Sequence, residues 1–509
     1  MGPQGLLPAY GTDIRVGDLR DQFARSFQDN PPAVSDRAWT FTPSIDISES
    51  YDSAVQTGRG FRKDYITRVT PNLAGTINTR RIEGVLNYSP TFSFYALNGS
   101  QNGVSHNLNA YATVTAVENL LFLDLRGYAA TTPLLGGVTT PGDTGGRSNE
   151  VQTANFSASP YMKYRFGDVA TARIGYTIAR NVVSSLNPTG SAAALTGGIN
   201  SNYTSQQESL NVTSGPDFGR IQASLDATAL QYEGSGLYKG AHNENAALSA
   251  GYALTRTFTV TGSVGHENIV YGPGGPKAIT GITWSGGFRW APNADSVINA
   301  SYGHQQGATS VSFDGSYAPT ARLRLSARYS QGVGTGLQNL QNALAGTTVG
   351  TAGITVDRVT GAPVRLDDYL GQQAGVYRTT SASLSAVLLL DRDVISLTVE
   401  KTERKLLSGG PVAGGFNPGI GSNDALTGSI AWQHTLTEAL STSTYLQYGV
   451  RSVPGSGSNA TISGSISATY TLSATVSTNL LLSHTETSGP TFGLPPTREL
   501  VVVGVHKAF

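Results

Sequence analysis

The sequence predicts an all-β chain: a single closed antiparallel transmembrane β-barrel of about 22 strands, with short periplasmic turns at one end and long extracellular loops at the other. Three observations predict it. Apolar and polar side chains alternate with a period of two through most of the chain, the spacing that puts them on opposite faces of a strand. Connections alternate between tight and long along the whole length. Charged residues make up only 13% of the 509, about half of the roughly 25% usual in soluble domains. That scarcity, 61 Gly, 23 Tyr and a mean hydropathy of −0.14 suit strands with one face in lipid and one in water. No run of about 18 apolar residues is present to cross a bilayer as a helix.

Two segments are expected, 1–38 and 39–509. Met1–Ala38 lacks the basic start and apolar core of a signal peptide. A barrel must be exported to reach the outer membrane, so the sequence is expected to be a processed form or to start late. Leu19, Phe23 and Phe27 recur at four-residue spacing, as in a short amphipathic helix. The segment reads either as a loose periplasmic tail or as a small plug or docking helix.

The first strand is expected over Trp39–Tyr51, with Trp39, Phe41, Pro43, Ile45 and Ile47 on one face. The second, Tyr65–Ile77, and third, Ile82–Phe94, repeat the pattern with Pro71 and Pro90 on their apolar faces. Proline removes a ladder donor, so three in successive strands predict a bend in this part of the wall. Later apolar faces are Phe156 to Phe166, Ile174 to Ile178, Leu248 to Leu254, Ile282 to Trp290, Ile395 to Val399 and Leu446 to Val450. The pattern is weakest over Val104–Val117 and Ser205–Val212. Tight connections include Glu118-Asn119, Gly167-Asp168 and Thr255-Arg256; long ones include Asp52–Asp64, Thr131–Ser148, Gly332–Ala374 and Thr485–Arg498. With both termini periplasmic, the first and last connections must be outer loops, and Asp52–Asp64 and Thr485–Arg498 meet that demand. The longest loop carries a helix-like patch at Leu337, Leu340 and Leu344. It reads either as a surface cap or as a loop folded inward to narrow the pore.

The chain ends E-L-V-V-V-G-V-H-K-A-F, with Val501, Val503, Val505 and Phe509 on one strand face. This ending resembles the terminal strand of bacterial outer-membrane barrels, whose C-terminal aromatic is read by the barrel-assembly machinery. Closure is expected where the strand of Phe509 meets that of Trp39. Lys507 departs from the pattern, sitting on the lipid face where its stem can snorkel to the headgroups.

Several chemistries find no support in the residues. There is no cysteine, which removes disulfides, thiolate metal sites and covalent haem attachment. The formal net charge is zero, against the basic balance of a nucleic-acid binder. Seven histidines are scattered without the i, i+4 spacing of a helical zinc site. The Gly-rich stretches at 272–275 and 332–336 join no strand to a helix, so neither reads as a phosphate cradle. No cofactor, metal or enzyme activity is expected. If the apolar faces meet lipid, the opposite faces line the lumen with Arg68, Arg126, Lys163, Arg165, Arg173, Arg289, Arg322, Arg324 and Arg328, together with Asp124 and other acids. Asp124 and Arg126 share a face and are placed to pair. Arg322, Arg324 and Arg328 follow one another with no acid between them. These charges read either as a balanced brace for a wide barrel or as a basic stripe that favours anions.

The segments W-T-F-T-P-S-I-D-I-S-E-S-Y-D-S, Y-I-T-R-V-T-P-N-L and L-N-Y-S-P-T-F, with I-T-V-D-R-V-T-G-A-P-V further on, resemble a family of uncharacterised porin-like outer-membrane barrels. That family is associated with exopolysaccharide and PEP-CTERM systems, and the likeness spans roughly Trp39–Phe509. Where it has an Asp-Asn pair after its first tyrosine, this chain has Asp52-Ser53. The resemblance implies an outer-membrane location, a barrel and a link to surface polysaccharide, and carries no catalytic residue. The function expected is a porin-like pore or export conduit, with a small anionic solute or a polysaccharide as cargo. The alternative is a structural or assembly partner, a sheath or anchor for an envelope-complex protein. Outer-membrane lipid and the assembly machinery are the partners either role requires.

Overall fold

The computed structural model describes residues 38–57, 60–133, 150–186, 202–293, 295–339, 347–349, 355–357, 375–408, 422–453, 457–489 and 495–509. The expected tail or plug, and Leu340 and Leu344, lie outside them. In chain order the strands are β1 Trp39–Thr57, β2 Gly60–Asn78, β3 Ile82–Tyr95, β4 Gly103–Val117, β5 Leu121–Pro133, β6 Glu150–Phe166, β7 Ala170–Ser185 and β8 Tyr203–Ser214. Next come β9 Ile221–Gly234, β10 His242–Ala253, β11 Phe258–Val270, β12 Ile279–Asn293, β13 Ser296–Gln305, β14 Ala308–Thr320 and β15 Leu323–Gly334. Two short strands follow, β16 Thr347–Val349 and β17 Thr355–Asp357. The wall resumes with β18 Val376–Leu389, β19 Asp393–Ser408, β20 Asn423–Thr435, β21 Leu440–Val453, β22 Gly457–Ser473, β23 Val476–Ser488 and β24 Thr497–Ala508.

Each wall strand pairs antiparallel with its sequence neighbour, β15 pairs with β18, and β1 pairs with β24. The result is one closed 22-stranded sheet, with β16 and β17 as a separate hairpin. Closure leaves the sheet no free edge, which a spanning sheet needs because lipid offers no hydrogen bonds. Both weak stretches of the sequence are strands, β4 and β8.

The alternation sorts as expected. Trp284 and Trp432 are 44% and 47% exposed on the outer face, with Val264, Leu397 and Ile430 beside them. The exposed apolar band is three or four outward residues tall above the aromatic girdle, as on Val501–Val505 and Leu248–Leu254. That matches the ~25 Å band of a transmembrane barrel. Above it the outward positions turn polar, with Glu49, Glu244, Lys401 and Glu499. Below it sits a girdle of exposed Trp39, Phe41, Phe166, Trp290, Tyr470 and Phe509. The bacterial outer membrane is where such a barrel resides. The tight connections, 79–81, 118–120 and 167–169 among them, lie at the end that holds both termini of the sheet, the periplasmic end.

Three local differences from the sequence reading have clear causes. Asp52–Asp64 is an outer connection, as expected, but not a long loop: β1 and β2 continue into it to pair Thr57 with Gly60, with a bulge between Asp52 and Val55. On the outer side β13 and β14 are joined by only Gln306-Gly307, both at positive φ, the backbone of a tight hairpin turn. The bend expected from the prolines is local. Pro71 lies opposite Pro90, and the β2–β3 ladder breaks between the Val69–Phe92 and Leu73–Tyr88 pairs.

Candidate functional site: the lumen and its strap

Where β15 ends, the chain turns inward. Thr335 and Gln338 form a capping box at the start of the helical residues 336–339. The Gln338 Oε1 accepts from the Thr335 amide at 2.9 Å, and the Gln338 amide donates to Thr335 Oγ1 at 3.2 Å. The same hydroxyl lies 2.6 Å from Tyr238 Oη, in the connection between β9 and β10. β10 and β15 are five strands apart, roughly 24 Å along the wall at ~4.8 Å per strand. A contact one residue past the end of β15 therefore draws the two sides of the outer mouth together. Leu337, 4% exposed, joins a buried cluster with Tyr128, Val151, Tyr203, Tyr232 and Tyr238. Tyr128, Val151, Tyr203 and Tyr232 are on the inner face of β5, β6, β8 and β9. The tyrosine rings pack at centroid distances of 4.2–5.8 Å. Burial pushes the Tyr238 phenol well above its usual range, so it stays a neutral partner for Thr335. Beyond the helix, β16 comes up against β4, eleven strands from β15 in a ring of 22. The described parts of this segment, the strap, touch the wall at two places around the outer mouth, and its root is held where the Val333 amide donates to Gln306 Oε1 at 2.7 Å.

The predicted luminal charges are distributed unevenly. Arg68 is buried on the inner face of β2 and donates to Ser50 Oγ at 2.8 Å. Arg126 donates to Asn109 Oδ1 at 3.1 Å. Asp124 pairs with Arg173 on β7 at 3.8 Å and accepts from Thr113 Oγ1 at 2.7 Å. The register allows the reach, since β6 between them carries small Ser159 and Tyr161, over whose ring Arg173 lies at 3.9 Å. Arg165 folds back on its own turn to Gly167 and Asp168. Lys163 and Arg289 are exposed on the inner face. The three arginines around β15 do not form a stripe of open charge. Arg322 belongs to the preceding turn and reaches Asp391 of the next turn at 3.4 Å. Arg324 is buried, and Arg328 stands opposite Asp314. Near the periplasmic turns Arg165, Arg173 and Arg322 are ion-paired and Arg324 is buried, which leaves Lys163 and Arg289 as the exposed inward cations of the predicted set there.

The seam is closed by two charged contacts on the inner face. Arg498 donates from Nε and Nη2 to the two oxygens of Asp52, at 3.0 and 2.5 Å, and Asp52 is fully buried. At the other end His506 Nδ1 lies 2.6 Å from Asp46 Oδ1. Phe509 donates its amide to Pro43 O at 3.0 Å, so the terminal aromatic meets Pro43 and not Trp39. Trp39 starts four residues earlier and pairs only with Ile77 of β2, a consequence of the stagger of the seam. Lys507 donates to Thr475 Oγ1 of the neighbouring periplasmic turn at 2.8 Å, its charge held at the rim. Among the described residues no group of three His, Asp or Glu side chains is placed to hold a metal.

The fold has known counterparts. The chain is similar to the ferric-catecholate import receptor Fiu from E. coli K12 in its open form, with 11% identity, TM-score 0.50, and 92% of this chain and 81% of that one covered. It is also similar to the FrpB iron transporter of Neisseria meningitidis. The F3-3 variant matches at 10% identity and TM-score 0.51 over 100% and 86% of the two chains. The apoprotein form of the F5-1 variant matches at 10% and 0.50 over 93% and 82%. No family model and no curated protein matches the chain. At these identities the likeness is one of fold: a large outer-membrane barrel.

Proposed function

We propose that the chain is an outer-membrane pore or export conduit whose outer mouth is narrowed by the strap after β15. The observation that carries this reading is the Tyr238–Thr335 contact with Leu337 buried behind it, at the height where an inner loop would set the size limit of a pore. Passage through such a pore needs diameter, lining charge and constriction, and no bond chemistry. The exposed inward Lys163 and Arg289 near the periplasmic turns support anionic cargo loaded from the periplasm, since charge focused at an entrance raises the local concentration of its counter-ion. An anionic saccharide is the cargo class that fits this charge and the resemblance to polysaccharide-associated barrels. The competing role, a sheath or anchor for an envelope-complex protein, predicts a barrel that is electrically silent by itself. Purified chain in a planar bilayer should give stepwise, anion-selective conductance. A silent barrel that co-purifies with a second protein would replace this reading with the anchor.

A further inference from the structure

The outer wall carries a groove of about 1060 Å³ over β5–β12, running from Leu121 and Met162 near the periplasmic turns to a polar upper edge on β7–β12. Strand register brings Tyr176, Glu208, Ala229, Glu244, Asn268 and Thr280 into one row across six strands. Glu208 and Glu244 are two strands apart, roughly 10 Å, with only the methyl of Ala229 between them. The Asn268 amide donates to Glu244 at 3.2 Å. In the next row toward the periplasm, Leu210, Ala227, Ala246 and His266 make the floor, and Leu225 and Leu248 lie beneath. Small side chains in the floor let an occupant approach the backbone closely. The groove is thus apolar below, and above it carries carboxylates, an amide and a ring.

We infer that this groove binds an outer-leaflet lipid with a sugar head group, chains on the alanine floor and hydroxyls on Glu208, Glu244 and Asn268. The groove opens sideways at the membrane boundary, so its occupant arrives with acyl chains. No Lys or Arg is among the described residues lining it, so a phosphate would meet two carboxylates and no counter-charge. Sugar hydroxyls donate to carboxylates, and the exposed Tyr176 ring offers a face to the C–H side of a sugar. The site stands independently of the pore, requiring only that the barrel sits in its membrane.

The test is retention on the whole barrel. The protein is reconstituted with digalactosyl, phosphatidylethanolamine and phosphatidylglycerol lipids of identical chains, stripped with detergent, and weighed by native mass spectrometry. Wild type should retain the digalactosyl lipid about tenfold over the others. Ala229→Trp fills the gap between the two glutamates and should abolish the preference. Val399→Trp, on the lipid face of β19, should keep it and controls for folding. E208Q/E244Q should weaken retention several-fold. Equal retention of the three lipids, or an Ala229→Trp barrel that behaves as Val399→Trp does, would overturn the site. Selective retention of phosphatidylethanolamine would overturn the sugar in favour of an ammonium head.

Discussion

Releasing the strap should open the pore, and the structure sets the size of the effect. Leu337 is 4% exposed, and truncating such a leucine to alanine costs about 2–5 kcal/mol where the site does not collapse. Tyr238→Phe removes the hydroxyl contact to Thr335, worth about 1 kcal/mol. The two residues share a cluster, so their effects will not add simply. A combined loss near 3 kcal/mol shifts the docked-to-undocked ratio by roughly a hundredfold. Single-channel recording of L337A/Y238F should therefore show larger and longer-lived open steps than wild type. Leu337→Met, which conserves volume, should resemble wild type. If the double variant assembles, as judged by heat-modified electrophoretic mobility, and conducts like wild type, the strap is not the constriction.

Other outcomes follow from the seam and the mouth. Arg498→Met strands the buried Asp52 carboxylate and should lower the stability of the detergent-solubilised barrel by about 3–5 kcal/mol, read from its denaturant midpoint. D52N/R498M should recover much of that loss; if it is no more stable than Arg498→Met alone, the pair is not the seam lock. Lys163→Gln with Arg289→Gln should move the reversal potential in a salt gradient toward cation preference. Arg322, Arg324 and Arg328 changed together to Gln should move it less, because one is at the rim, one is buried and one faces Asp314; a larger shift there would restore the stripe. Deleting Phe509 should lower the yield of assembled barrel several-fold, whereas Trp39→Ala should leave it near wild type.

The in-or-out sorting of side chains was legible because it depends on a period of two within each strand. Trp284, Ile395 and Val503 needed no knowledge of their neighbours to be placed outside. The strap was half legible. Leu337 stood out as part of an apolar patch, and Thr335 with Gln338 is a capping pair readable from spacing alone. Its dock was not legible, because Tyr203, Tyr232 and Tyr238 meet only through strand register and one 3-10 turn. The expected length of the outer loop at Asp52–Asp64 failed because a polar stretch signals a turn and a buried acceptor alike. Asp52 and Asp64 are buried acceptors, one for Arg498 and Ala54, the other for the amides of Leu97 and Asn98.

Register also decides what a polar residue on the lipid face means. His106, His242, His266, His304 and His484 look unrelated along the chain, yet all face outward at the upper edge of the apolar band. Strand pairing supplies partners that spacing could not show: Tyr88 for His106, Thr309 for His304, Glu499 for His484. An imidazole there keeps its ring toward the chains and its nitrogens toward water or a hydroxyl, as other amphipathic rings do at a membrane boundary. Glu208 and Glu244 belong to this same edge, but the register places them around Ala229, whose methyl leaves the space between them open. A polar edge alone marks where the bilayer ends; a polar edge with a hollow beneath it has room for one molecule of that bilayer. That difference is set by which strands are neighbours and by how far each slides along the next.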